Sequence, residues 1–386
     1  MKAGLPKRIL MTADTVGGVW QYAIELCQAV ARSGTQVYLA TMGAPLTPGQ
    51  RQEAASLSNT EVYESRYKLE WMDSPWSEVA AAGEWLLGLE AELNPDLVHL
   101  NGYSHAALPW EVPKLVVAHS CVLSWWQAVK GANAPPEWER YRDRVREGLR
   151  SADLVIAPSR AMLADLRRCY GELAKVRVIS NGRSPSEGVG QPKEKLILSA
   201  GRLWDEAKNV RVLRDVAPLL PWPVYLAGEQ KTPFESRPQS KVVSSSRDCC
   251  AEGRQVRCLG RLESADLAEW LHRAAIYVLP AKYEPFGLSI LEAGLAHCAL
   301  VLGDIPSLRE IWSDAALYVP PNDGSALRKA LEDLIGDERK REELGQRAYE
   351  RAGYFTPERM ADNYLAAYAD LVQRRLQHRN QEVMCA

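Results

Sequence analysis

The sequence predicts an α/β protein built from two Rossmann-like, doubly wound domains, and three observations carry that expectation. Short apolar, β-branched runs alternate with amphipathic helical stretches along the chain, the pattern of parallel strands joined by crossover helices. At 386 residues the chain is too long for one ordinary domain, and it fits two of about 150–200 residues each. Between the two series lies the stretch 182–192, rich in Gly, Pro and Ser, which has the composition of a linker. The first domain is therefore expected over 1–185 and the second over 193–356.

In the first domain, 8–12 reads as the opening strand. A helix over about 19–32 follows, with Val19, Tyr22, Ala23, Leu26 and Val30 on one face and Gly34 as its stop. Further strands are expected at 36–40, 96–100, 115–119, 154–157 and 176–180, with helices at 76–93, 137–150 and 160–170. The second domain reads as strands at 196–200, 223–227, 256–259, 276–279, 299–302 and 317–319, with a helix over 266–274. A polar stretch, 230–253, reads as a surface excursion, and 357–376 as a long amphipathic helix. Ligands of such sheets bind beyond the carboxyl ends of the strands, so the cleft between two facing domains is the expected site.

Composition narrows the function classes. Charged residues are 25% and hydrophobic residues 46%, ordinary for a globular chain, and a net charge of −2 gives no electrostatic reason to expect nucleic acid. No apolar run has the length of a membrane span and the first residues lack a signal-peptide core, so the cytosol is the expected compartment. Eight cysteines at irregular spacing read as reduced and structural; Cys249, Cys250 and Cys258, with no histidine at ligand spacing, make a poor zinc site. The dinucleotide fingerprint G-x-G-x-x-G is absent, which argues against an NAD-type oxidoreductase.

The chemistry-bearing residues cluster at strand ends. After the strand 276–279, ended by Pro280, comes Tyr283-Glu284-Pro285-Phe286-Gly287-Leu288, then helix-forming sequence carrying Glu292. Pro285 suits the first turn of a helix, and Gly287 lets a ligand approach the backbone. Glu292 is expected about 9 Å along the helix axis, at ~1.5 Å per residue. Two carboxylates so placed could grip hydroxyls at both ends of an elongated, polyhydroxylated ligand. They could equally be a solvated helix start whose acids favour the dipole. Gly17-Gly18 opens the first helix and could bring main-chain N–H groups to a phosphate, or be a tight turn without a ligand. Arg202 and Lys208 follow the first strand of the second domain. They could meet to neutralise a diphosphate, or be a surface pair balanced by Asp205 and Glu206. His119 ends a strand, where a histidine is as often a hydrogen-bonded core residue as a ligand contact. His99 and His105 flank Asn101-Gly102-Tyr103 at another strand end and could line the cleft.

Together these residues resemble the retaining glycosyltransferases of the two-domain GT-B fold, specifically those like family 4, whose E-x7-E motif matches Glu284 and Glu292. The resemblance implies that Glu284 contacts the donor sugar and Glu292 the nucleotide ribose. It implies that the amides around Phe286, Gly287 and Leu288 bind sugar hydroxyls and diphosphate, and that those of Gly17 and Gly18 approach the diphosphate and reaction centre. Arg202 and Lys208 would clamp the pyrophosphate, and His119 would touch the donor sugar. Backbone groups around Arg261 and Leu262 would meet the nucleobase edge. Two positions depart from the pattern: Asn209 stands where glycine usually follows the lysine, and Ser120 where Asp or Gly often follows the histidine. The helix 357–386 is expected to cross back onto the first domain.

The activity so implied is transfer of a sugar from a UDP or GDP sugar to an acceptor hydroxyl with retention of configuration. The resemblance also implies no metal and no other cofactor, and the absence of a D-x-D at a strand end is consistent with that. The linker would allow the domains to close and exclude water. The acceptor is a carbohydrate, a lipid-linked glycan or a small molecule, expected near Asn101, Tyr103 and the pair Trp125-Trp126, read as a loop. Those tryptophans could stack on sugar rings, pack a lid, or with Lys2, Lys7 and Arg8 anchor the chain at the inner membrane face. A nucleotide-sugar epimerase and a non-catalytic sugar-nucleotide-binding protein are the rival readings. The first would turn over donor alone, and the second would bind without turnover.

Overall fold

The computed structural model describes residues 4–186, 188, 192–230 and 255–385, with side chains to 377. Lys2, part of the expected linker, the core of the polar stretch and Cys249-Cys250 lie outside the described residues. The chain divides into two compact units. One comprises residues up to Gln127, Gly131–Ser184 and Thr356 onward; the other comprises Ala128–Lys130 and Pro185–Phe355.

The first unit is a parallel α/β sheet. Its elements run β1 (Arg8–Asp14), α1 (Gly18–Val30), β2 (Gln36–Met42), α2 (Pro48–Ala55), β3 (Thr60–Glu64), α3 (Trp76–Leu93) and β4 (Leu97–Leu100). They continue as β5 (Lys114–Val117), α4 (Val122–Lys130), α5 (Glu139–Ser151), β6 (Leu154–Ala157), α6 (Arg160–Tyr170) and β7 (Val176–Val178). Strand order is β3-β2-β1-β4-β5-β6-β7, parallel throughout. Strands β4 and β6 are buried at every position, as expected where helices cover both faces of a parallel sheet.

Three elements here differ from the sequence expectation. The apolar period is weak in α2, and its start is set by a capping box between Thr47 and Gln50. Strand β3 has no fully buried position, so it lacks the apolar run that marks an inner strand. The pair Trp125-Trp126 is not in a loop: both lie in α4, their rings edge-on at 5.8 Å. Gly131, in the left-handed region at φ 66°, stops that helix after nine residues, too short a run for periodicity to reveal.

The second unit runs β8 (Glu194–Ala200), α7 (Val210–Val216), β9 (Val224–Ala227), β10 (Val256–Gly260), α8 (Ser264–Arg273), β11 (Ala274–Leu279) and α9 (Leu288–Leu295). It ends with β12 (Ala299–Gly303), α10 (Pro306–Trp312), β13 (Leu317–Val319), α11 (Gly324–Gly336) and α12 (Glu338–Ala352). Strand order is β10-β9-β8-β11-β12-β13. The period of two along a strand splits the core between the faces. Leu198, Tyr277 and Leu300 pack with Ile290 and Leu291 of α9 on one side, while Ile197, Ile276 and Val301 pack with Leu213 and Leu327 on the other.

The last helix, α13 (Pro357–Cys385), belongs to the first unit. Its Tyr364 and Tyr368 are fully buried, and Tyr364 meets Tyr22 of α1 edge-on at 6.0 Å. Among the described residues no helix is long and apolar enough to cross a membrane.

Candidate active site

Each sheet reverses its strand order once, and in open parallel sheets ligands bind beyond the carboxyl ends of the strands flanking that reversal. In the second unit the flanking strands are β8 and β11. The turn after β8 carries Arg202 and Lys208, and the turn after β11 carries Glu284. Lys208 Nζ donates to Glu284 Oε2 in a short ion pair whose side chains are only 14% and 10% exposed.

Local structure explains how the two turns meet. A single 3-10 turn, Glu206–Lys208, is capped by Asp205, whose carboxylate accepts from Ala207 N at 2.9 Å. The same carboxylate pairs with Arg202 at 3.1 Å. Lys282 N donates to Ala207 O at 2.8 Å and ties the turn after β11 to the turn after β8. Asn209 sits in the left-handed region at φ 55° and is buried. Its Nδ2 donates to Pro280 O at 2.9 Å and also to Pro321 O. Glycine is the default in that conformation and asparagine its tolerated substitute. Asn209 thus takes a left-handed turn without glycine and adds a side-chain tether. The two cations do not pair with each other. Arg202 keeps Asp205 and lies over the Trp204 ring at 5.3 Å, whereas Lys208 turns to Glu284 and not to Glu206.

Glu284 is buried, and its carbonyl accepts from Ser307 Oγ at 2.6 Å. It is therefore not part of a solvated helix start. Helix α9 begins at Leu288 with Gly287 as its N-cap at φ 92°, so Pro285 precedes the helix instead of occupying its first turn. Glu292 lies half-buried in the second turn, about 6 Å along the axis from Leu288 at ~1.5 Å per residue. The first N–H groups of α9 have no partner within the helix, as at any helix start. Phe286 is core, edge-on to Phe355 at 5.5 Å, and Leu288 packs half-buried on the same cluster. Beneath the turn, Tyr277 OH donates to Ala200 O at 3.0 Å and lies 2.8 Å from Ser289 Oγ. Burial pushes this phenol up, and the carboxylates of Glu284 and Glu292 push it the same way. Arg261, at the end of β10, is half exposed and pairs with Glu229 at 3.0 Å, while Leu262 packs against the core.

In the first unit the order reverses between β1 and β4. Gly17 caps α1 at φ 101° and Gly18 is its first residue, both exposed. Before them Asp14 Oδ1 accepts from Val16 N at 2.6 Å, and Thr15 Oγ1 donates to Ala44 O at 2.7 Å. His119, half-buried after β5, has its Nε2 2.7 Å from Asn101 Oδ1, and its ring meets Tyr22 edge-on at 4.5 Å. Burial holds the His119 imidazole down to about 3, so the ring is neutral near pH 7. Three expectations are corrected here. His105 is buried with Nε2 donating to Val79 O at 2.9 Å, and His99 is wholly buried, so neither lines a ligand surface. Tyr103 is buried with its hydroxyl donated to Ser120 O at 2.7 Å, which makes it a packing residue and not an acceptor contact. Asn101 has both ends of its amide engaged by protein groups. The residues that sequence reasoning missed are Ser307 and the structural part of Asn209; an asparagine directly after the turn lysine was the available signal. Among the described residues no three His, Cys, Asp or Glu side chains are grouped as a metal site.

Comparison with known proteins decides the family. Residues 16–187 match the family model described as Glycosyltransferase Family 4, and residues 184–351 match Glycosyl transferases group 1. The chain belongs to the family-4-like glycosyltransferases. Among relatives of this glycosyltransferase is a glycogen synthase of Mycobacterium tuberculosis, 27% identical over 86% of each chain. A D-inositol 3-phosphate glycosyltransferase of Xylanimonas cellulosilytica is 26% identical over 93% of each. A sucrose-phosphate synthase of Thermosynechococcus elongatus matches in structure with TM-score 0.73 at 22% identity, over 95% of this chain and all of that one. HepE of Anabaena, solved with UDP and glucose, matches with TM-score 0.71 at 17% identity over the same shares. These glycosyltransferase neighbours have the GT-B fold, and so does this chain: two parallel-sheet, Rossmann-like domains.

Proposed function

We propose that this glycosyltransferase moves a sugar from a nucleoside diphosphate donor to an acceptor hydroxyl with retention of configuration and without a metal ion. The observation that supports it best is the meeting of Lys208 and Glu284 at the strand-order reversal of the second unit, with Gly287 at the start of α9 and Glu292 one turn further. Arg202 and Lys208 supply positive charge for the diphosphate on which charge develops as the bond to the sugar breaks. Lys208 then exchanges its carboxylate partner for phosphate oxygens and frees Glu284 to hold the sugar. Glu292 holds the ribose, Arg261 and Leu262 flank the base, and Gly17, Gly18 and His119 serve the reacting sugar. The anomeric carbon–phosphate oxygen bond breaks while the acceptor oxygen bonds the anomeric carbon on the same face. The acceptor proton passes to the leaving phosphate, so no side-chain base is required.

The relatives' names span glycogen, inositol phosphate and sucrose phosphate chemistry, and the acceptor hydroxyl belongs to a carbohydrate, a lipid-linked glycan or a small molecule. Melting curves with UDP, GDP, ADP and their sugars, in EDTA, test the donor site on wild type and Glu292→Ala. A ligand at a hundred times its Kd adds about 2.7 kcal/mol. Selective stabilisation by one nucleotide, lost in the variant, supports the reading, and the anomeric configuration of product from that donor then tests retention. No shift with any nucleotide would overturn it.

A further inference from the structure

We propose that Asn101 is a positioning residue that fixes His119 as its neutral Nε2–H tautomer, so that His119 meets a ligand only through Nδ1, as a hydrogen-bond acceptor. The orientation of the Asn101 amide is set by Thr12 of β1. Asn101 N donates to Thr12 Oγ1 at 2.9 Å, and Nδ2 donates to Thr12 O at 2.6 Å. A backbone carbonyl only accepts, so the atom facing it is the amide nitrogen, and Oδ1 is left for the histidines. That oxygen lies 2.7 Å from His119 Nε2 and 3.3 Å from His99 Nε2. An amide oxygen has no proton to give, so the His119 ring presents its Nε2–H to it, while His99 Nε2 also lies 3.3 Å from Tyr22 OH.

The second ring closes the arrangement. His99 Nδ1 lies 2.7 Å from Tyr368 OH. The network therefore runs from α13 through His99 and Asn101 to His119 inside the first unit. The titratable groups packed around the two rings are Tyr22 of α1 and Tyr364 and Tyr368 of α13, all pushed up by burial and so neutral. Among the described residues, the hydrogen-bond partners of the two rings are Tyr22, Tyr368 and Asn101, and none is a carboxylate that could hold either ring charged. Nδ1 of His119 can take a hydrogen from a sugar hydroxyl and repels a carboxylate or phosphate. On the function proposed above, on which this consequence rests, the donor sugar presents a hydroxyl at this point rather than a uronate.

The test reads the tautomer directly. There are six histidines in the chain, few enough to assign by single substitution in 15N spectra of the full protein. Wild type is expected to show His119 as Nε2–H and uncharged from pH 8 down to pH 5. Asn101→Asp replaces the amide by a carboxylate of the same shape and is expected to raise the titration of His119 toward or above its ordinary range, while Asn101→Ala gives a mixture of tautomers. With the donor found by melting curves, Asn101→Ala should lower kcat about 10- to 100-fold, as when an imidazole loses its orienting partner, and keep the nucleotide-induced melting shift. An Nδ1–H or charged His119 in wild type at pH 7, or an unmoved titration in Asn101→Asp, would overturn the proposal. The wild-type spectrum needs no variant to fold. If no nucleotide shifts the melting point, the functional reading fails and the spectra still decide the role of Asn101.

Discussion

Lys208 and Glu284 lie 76 residues apart and form a nearly buried ion pair at the strand-order reversal of the second unit. Breaking such a pair from one side strands a charge, whereas removing both partners is far milder. Lys208→Ala and Glu284→Ala are each expected to cost about 3 kcal/mol, and the double variant less than the sum. Denaturant titrations of the three variants measure the coupling. Additive losses would show that the pair is not formed in solution.

Gly287→Ala should damage the turn more than its one methyl suggests. The added Cβ would lie 2.7 Å from Ile290 Cδ1 and 3.3 Å from Glu284 Cγ, at φ 92°. A side chain forced into that region costs about 1–3 kcal/mol, so a loss of about 2–3 kcal/mol with a weakened nucleotide-induced melting shift is expected. Gly336→Ala, with nothing within 4 Å of the new Cβ, is the control and should be neutral.

Asn209 separates backbone from side-chain effects. Asn209→Gly keeps the left-handed turn and loses the bonds to Pro280 and Pro321, at about 1–2 kcal/mol. Asn209→Ala loses both bonds and strains the backbone, at about 2–3 kcal/mol. Equal losses in thermal unfolding would mean that the tether, not the conformation, is what the residue supplies.

His99 predicts a pH dependence. Burial, with repulsion from His119, holds its imidazole down to about 3. The unfolded chain takes up that proton below about pH 6.5 and the folded chain does not, so stability falls as pH drops from about 6.5 toward 3. The contribution approaches about 1.4 kcal/mol per pH unit. His99→Gln should flatten the slope of stability against pH by close to one proton, whatever it does to stability at pH 7.

Most of the fold was legible because a buried parallel strand leaves a continuous apolar mark. The runs at 154–157 and 317–319, and the helices at 76–93 and 160–170, lie where the pattern put them. What escaped is what local pattern does not record. Helix α4 is short and ends at a glycine, so Trp125 and Trp126 read as a loop. The start of α9 at Leu288 depends on the left-handed Gly287 rather than on Pro285. The positions of Glu284, Lys208 and Arg202 after their strands followed from topology. The partner of each did not, because an ion pair 76 residues apart is a matter of packing. His99, His105 and Tyr103 are polar residues at strand ends that turned out to be buried, and sequence alone does not tell a satisfied interior histidine from an exposed one.

The placement of α13 has a consequence for biogenesis. The first unit opens the chain, yet its interior is completed by Tyr364 and Tyr368, which a ribosome adds only after the whole second unit. During synthesis the later unit has all its residues before the earlier one does. The apolar face of α1 that α13 covers therefore stays open through that interval, and the unit is tied together by contacts of long sequence separation, which form slowly. Chaperone dependence and aggregation during expression should accordingly follow substitutions in α1 and α13 more closely than substitutions in the second unit.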